Sequence, residues 1–254
     1  MAEQIESLIN SQQRLLADIS HELRSPLARL TVALGLTRLY ASPECNAGLD
    51  RIELEAGRLN TLIGSLLRLA RLEGGSAVLE KEPVALNRVV TDVASDAEFE
   101  AQGRKRHVRI TRTDACTIPG NKELLRSAIE NVVRNAVNYT PEGTEVQISL
   151  RKIAPNGHPA ALVSVRDHGN GVPEAALRDI FLPFYRVGDA RDRFSGGSGL
   201  GLSITERAVR LHGGTVRAEN CKDGGLLIEL QLPCAAEPKA EKQDLDTKVD
   251  RRDR

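Results

Sequence analysis

Lysine plus arginine and aspartate plus glutamate number 35 each in this 254-residue chain, so it has no excess charge of either sign. Neutrality removes any global pull toward nucleic acid or anionic lipid. The four cysteines (Cys45, Cys116, Cys221 and Cys234) lie far apart and form no paired motif. That spacing reads as ordinary reduced thiols rather than as a disulfide or zinc framework. No apolar run reaches the roughly 18 residues of a membrane span, and no signal-peptide pattern is apparent. A soluble, cytoplasmic chain is therefore expected. Tryptophan is absent, and there are only four phenylalanines and three tyrosines. In so aromatic-poor a chain, the grouping of Phe181, Phe184, Tyr185 and Phe194 marks a special segment.

The stretch around which the chain is organised is Leu15 to Leu34. At roughly 100° per residue, Leu16, Ile19, Leu23, Leu27, Leu30 and Leu34 fall on one stripe. His21 then points about 150° away from it, toward solvent. Glu22 adjoins His21, Ser25 lies one turn on, and Pro26 cannot donate to the carbonyl of Glu22, so the helix should bend there. A surface histidine on a coiled coil would sit the same way. The adjoining acid, hydroxyl and proline favour function instead. A neutral imidazole, with an unperturbed pKa of about 6.5, is a competent nucleophile. A neighbouring carboxylate can orient it and accept its proton.

Residues 1–40 read as one long helix and 49–72 as a second. In the second, Leu49, Ile52, Ala56, Leu59, Ile63, Leu66 and Ala70 alternate three and four apart. A single hairpin leaves these seams wet, and two hairpins bury them, which predicts a homodimeric four-helix bundle through residues 1–72. A hairpin packed on the rest of its own chain is the alternative. Beyond a Gly-Gly linker the texture becomes mixed: helices after Asn87 and Asn121, each residue acting as an N-cap, short strands at 84–86, 108–111 and 116–118, and strands at 145–150 and 162–167 joined through Pro155-Asn156-Gly157. An irregular stretch over 169–198, a helix over 200–211 and strands at 216–219 and 226–232 complete it. The fold class is α+β: an antiparallel helical hairpin, then an α/β sandwich with helices on one face of a mixed sheet. The boundaries are 1–73 for the hairpin, 74–82 for a linker, 83–233 for the sandwich and 234–254 for a tail. That tail carries six acids and six bases in 21 residues, and reads as disordered.

Three features of the sandwich carry chemistry. Asn131, Asn135 and Asn138 form a row at i, i+4 and i+7, and amide oxygens can ligate Mg²⁺. Tyr139 ends the row and offers a stacking face, although packing at a helix end would explain it equally. Asp167 follows a strand directly and can accept from an exocyclic amine, with Gly169 and Gly171 allowing close backbone approach. Gly197, Ser198, Gly199, Leu200 and Gly201 open a helix and suit a phosphate cradle, or a flexible hinge. Arg186, Arg191 and Arg193 precede it and could clamp phosphate or remain solvated.

Together these segments resemble the sensor histidine kinases. His21-Glu22-Leu23-Arg24-Ser25-Pro26-Leu27 is similar to their H box, and Asn131 to Ala136 to their N box. Asp167 to Gly171 resembles the first glycine box, Phe181 to Arg186 the F box, and Gly197 to Leu202 the second glycine box. Asp18 to Arg24 and Asp189 to Arg193 resemble the Cpx-type branch. The resemblance implies a dimerisation and histidine-phosphotransfer domain followed by a Bergerat-type ATP-binding domain. It implies His21 as phosphoacceptor from Mg-ATP, Glu22 as general base, and Ser25 as placing water in a reverse phosphatase reaction. Asn131 and Asn135 would hold Mg²⁺ and phosphates, Tyr139 would stack on adenine, and Asp167 would bind its amino group. The implied partner is a response-regulator receiver domain, with no nucleic acid. The membrane would enter only through an upstream sensor region. Family members often carry Lys or Arg where Asn138 stands, and Arg134 is the candidate replacement. A non-catalytic nucleotide-binding adaptor and an ATPase of the chaperone or topoisomerase kind are the competing readings.

Overall fold

The computed structural model describes Leu23 and residues 25–73, 80–187 and 198–234. The expectations for His21, Glu22, Arg191, Arg193, Gly197, the Gly-Gly linker and the tail fall outside those residues. Two helices come first: α1 over residues 25–40 and α2 over Asn46–Glu73. Arg38 of α1 ion-pairs with Asp50 and, at 3.0 Å, with Glu53 of α2. Part of the predicted seam is wet in the single chain: Leu23 and Leu30 on α1, and Ile52, Leu59 and Leu66 on α2, are all exposed. A second edge of α2 is covered. Leu69 and Leu72 pack with Leu200 and Ile204, joined by Leu62, Leu124 and Leu211.

Among the described residues, the remainder is two sheets and three α-helices, with short 3-10 turns between them. Strands β1 (Glu82–Ala85) and β3 (Thr117–Gly120) form an antiparallel ribbon, with Val84 opposite Ile118. The main sheet runs β2-β4-β5-β7-β6, using His107–Thr113, Glu145–Ile153, Ala160–Arg166, Leu226–Pro233 and Thr215–Asn220. Only the β2–β4 pair is parallel. Helices α3 (Leu86–Gln102), α4 (Lys122–Tyr139) and α5 (Gly201–Leu211) pack on the sheet. Alternate residues of the inner strands face them: Val146, Ile148 and Leu150 from β4, Val163 and Val165 from β5, and Ile228, Leu230 and Leu232 from β7 are buried in one core. The strand pattern therefore reads correctly from period-two alternation.

Helix starts differ in how well composition marks them. Asn121 caps α4, its Oδ1 accepting from the Leu124 N–H at 3.0 Å. Asn87 does not cap α3. That helix begins two residues earlier, at Leu86, its N-cap is Ala85 without a side-chain bond, and the Leu86 N–H is instead taken by the Cys116 carbonyl at 2.8 Å. A tertiary partner has replaced the local cap. The buried face of α4 holds Leu125, Ile129, Val132, Val133, Ala136 and Val137. The asparagine row lies along its edge.

Candidate functional site

One cavity of about 480 Å³ opens between α4, the loop after β5, the segment before α5, and α2. Its wall contains Asn131, Arg134, Asn135, Asn138, Tyr139, Asp167, Gly169, Gly171, Arg186, Ser198, Gly199 and Gly201. Residues separated by up to 70 positions in sequence thus converge. Ser25 stands elsewhere, on α1, where its Oγ accepts from Arg29 at 2.8 Å. Leu200 is fully buried in the contact with α2 rather than in the cavity wall.

At the end of β5, Asp167 is 4% exposed, and its Oδ1 accepts from the backbone N–H groups of Gly169 at 2.8 Å and Leu226 at 3.1 Å. Burial, working against those two hydrogen bonds, raises its carboxyl above the usual range. The chain around it leaves no room for side chains. A Cβ at Gly225 would lie 2.0 Å from the Asp167 carbonyl, and one at Gly169 would lie 2.7 Å from the Tyr139 carbonyl. Gly171 has φ +67, and Asn220 steadies the loop around it: its Oδ1 accepts from Val172 N–H at 2.9 Å and its Nδ2 donates to the Val172 carbonyl at 2.7 Å. Thr140, completely buried at the end of α4, accepts from His168 N–H at 3.2 Å and ties this loop to the asparagine helix.

Asn131, Asn135 and Asn138 are all half-buried on the cavity side of α4. The Nδ2 of Asn131 is buried with no hydrogen-bond partner among the described residues. An orphaned amide costs free energy unless something else engages it, so this corner of the cavity suits a polar ligand. Tyr139 is 56% exposed at the rim, as a stacking surface requires. Gly199, at φ +71, lets the chain pass Phe184, whose N–H donates to the Gly199 carbonyl at 2.9 Å. Tyr185 lines the cavity, while Phe181 is a core residue.

Two contributions escaped the sequence. Arg104, just past α3, donates from Nη1 to Asn138 Oδ1 at 2.7 Å, which fixes a guanidinium beside a residue of the cavity wall. Arg134 lines the cavity but is ion-paired with Glu130 at 2.5 Å. A pairing across 34 positions has no signature in a single sequence. The second is α2, whose Thr61 and Ser65 form part of the wall. Helix α2 is held there by Arg68, which donates to Ser127 Oγ at 2.6 Å, and by Arg207, which donates to the Leu72 carbonyl at 2.9 Å.

Two protein families match this architecture. The His Kinase A (phospho-acceptor) domain matches residues 11–75, and the histidine kinase-, DNA gyrase B-, and HSP90-like ATPase family matches residues 120–236. Over 234 residues the chain is 39% identical to the sensor histidine kinase CpxA of Escherichia coli K12, covering 92% of this chain and 49% of that protein. It is 31% identical over 249 residues to the sensor-like histidine kinase SenX3 of Mycolicibacterium smegmatis, covering 96% and 62%. The chain thus spans about half the length of the curated relatives it matches first. Among solved structures, full-length ShkA in complex with AMPPNP superposes with a TM-score of 0.74 at 26% identity, covering 89% of this chain and 47% of that one. The mycobacterial sensor histidine kinase MprB superposes at 0.53 and 26%, covering 62% and 99%. By both family matches, in the order in which they occur, the chain carries the phospho-acceptor domain of a histidine kinase followed by its ATPase domain, the catalytic region of such a kinase.

Proposed function

We propose that this chain is the catalytic region of a two-component sensor kinase, moving the γ-phosphoryl group of ATP to His21 and then to an aspartate of a response regulator. The observation that carries the reading is the shared cavity, in which the asparagine row, Asp167 and the glycine turns meet a wall supplied by α2. In that cavity Asp167 accepts from the adenine amino group, its carboxylate held in place by the Gly169 and Leu226 N–H groups on Oδ1. Tyr139 stacks on the base. Asn131 and Asn135 would hold Mg²⁺ through their amide oxygens, and the metal would supply neutralisation of phosphate charge. Arg186 and the Ser198–Gly201 turn face the phosphates, with Arg191, Arg193 and Gly197 in the preceding segment, and Arg104 on Asn138 adds a cation beside Arg134.

Transfer forms a bond from an imidazole nitrogen of His21 to the γ-phosphorus, and breaks the bond from that phosphorus to the β–γ bridging oxygen. Glu22 takes the imidazole proton. Ser25 of α1, four positions after His21 in sequence, orients the water that hydrolyses the regulator's phosphoaspartate and releases phosphate. The exposed seams of α1 and α2 are the homodimer surface. We assign residues 1–73 to the phosphotransfer hairpin, 74–82 to a linker, 83–233 to the ATP domain and 234–254 to a tail, in a cytoplasmic region whose membrane link lies in a sensor segment outside this chain.

The test is incubation with γ-labelled Mg-ATP, then division of the labelled protein between acid and alkali. Label that survives alkali, is lost in acid and is missing from His21→Ala establishes the kinase and its acceptor. Label that persists in His21→Ala, or loss of ATP binding in that variant, refutes the two-site reading.

A further inference from the structure

Away from the cavity, the fold brings together two thiols that are far apart in sequence. Cys116 immediately precedes β3 and Cys234 immediately follows β7, 118 positions later, yet their Sγ atoms are 3.0 Å apart. Both backbones are anchored. The Cys116 carbonyl accepts from Leu86 N–H at 2.8 Å, and the Cys234 N–H donates to the Pro159 carbonyl at 3.0 Å. Cys116 is 3% exposed, whereas Cys234 is only half-buried. A disulfide needs its sulfurs about 2.05 Å apart, so an approach of roughly 1 Å between two side chains separates the thiol pair from the bond.

We propose that Cys116 and Cys234 are an oxidation site, closing to a reversible intramolecular disulfide with a peroxide-class oxidant. The Cys234 thiol gives up its proton and the thiolate attacks one peroxide oxygen, breaking the O–O bond; the sulfur becomes a sulfenic acid, and the displaced hydroxide takes up that proton and departs as the first water. The Cys116 sulfur then attacks the Cys234 sulfur, its proton leaves with the hydroxide as a second water, and the S–S bond forms. Two thiols lose two electrons and the peroxide is reduced to two waters. The order follows from access and from the burial of Cys116. Burial, reinforced by the adjoining Cys234, pushes the Cys116 thiol up to about 12, so it stays protonated at neutral pH, and the solvent-facing partner meets the oxidant first.

The bond would join parts of the molecule that are otherwise separate sheets. Cys116 belongs to the root of the β1–β3 ribbon, through which the chain enters the ATP domain, and Cys234 ends β7, an interior strand of the main sheet. Closing so long a loop also constrains the unfolded chain strongly. Neither sulfur lines the nucleotide cavity.

The experiment uses the full chain, purified reduced, treated with hydrogen peroxide and digested without reductant for mass spectrometry. The expected result is a peptide pair joined through Cys116 and Cys234, lighter by two hydrogens. A rise in Tm of roughly 5–15 °C that dithiothreitol reverses should accompany it, with unchanged ATP affinity. The Cys45→Ser/Cys221→Ser double variant should behave identically, while Cys116→Ser and Cys234→Ser should lose both the cross-link and the Tm rise. Over-oxidation of Cys234 without a cross-link, or cross-links through Cys45 or Cys221 instead, would overturn the proposal.

Discussion

Replacing Asp167 with asparagine separates the binding role of this carboxylate from any structural one. The side chain keeps its size, and its remaining carbonyl oxygen can still accept from Gly169 and Leu226 N–H groups, at 2.8 and 3.1 Å in the native chain. What changes is the second oxygen, which becomes an NH₂ group. The proposed acceptor for the adenine amine is then a donor facing a donor. Losing a hydrogen bond to a charged group costs about 1.5–3 kcal/mol, and leaving the opposing amine unpaired adds about 1 kcal/mol or more. The sum, roughly 2.5–4 kcal/mol, is a 70- to 1000-fold weaker affinity for ATP. Stability should move the other way. The folded carboxyl titrates above its unfolded value, so its contribution to stability is full only at acid pH and is lost as pH rises through the folded pKa. Removing the buried charge therefore leaves Tm at pH 7.5 unchanged or higher. Titration calorimetry with ATP, alongside thermal melts, reads both quantities. A folded Asp167→Asn protein that binds ATP within threefold of the native affinity would refute the assignment.

Arg104→Ala should weaken ATP binding about tenfold and leave adenosine binding unchanged, because only phosphate oxygens need the guanidinium; equal losses for both ligands would show that Arg104 acts on the fold. His212 is buried, with Nδ1–H donating to the Ala208 carbonyl at 2.7 Å and Nε2 accepting from Asn121 N–H at 3.0 Å. Burial lowers its pKa from 6.5, so its contribution to stability is present above about pH 6.5 and lost as pH falls below that value. Melts at pH 7.5 and 5.5 should show the native Tm falling over this window more steeply than that of His212→Asn, and parallel slopes would refute the linkage. Leu59→Glu, at an exposed α2 position, should convert the dimer to monomer in sedimentation velocity while ATP affinity holds within twofold.

Particular residues show how far the sequence could be read. Asn121, the alternation in β4 and β7, and the asparagine row depend on neighbours a few positions away, and each lies where local periodicity puts it. The Asn87 cap failed because the Leu86 N–H found its acceptor in Cys116, 30 positions along the chain. The same distance problem hid Arg104, the Asn220 clasp on the Gly171 loop and the two hydroxyls of α2. Composition also presented the four cysteines as solitary, and only the fold reveals that two of them touch.

Helix α2 works as a shaft with two loads. Its 28 residues form a rod about 42 Å long, with Ile52, Leu59 and Leu66 on an open side and Leu62, Leu69 and Leu72 gripping α5 and its surroundings. A twist of about 20° imposed on the open side would carry side-chain tips at a radius of about 5 Å through nearly 2 Å. That travel exceeds the tolerance of the 2.6 Å bond from Arg68 to Ser127. Torque applied to such a shaft reaches the wall of the nucleotide cavity without any part of the sheet having to bend.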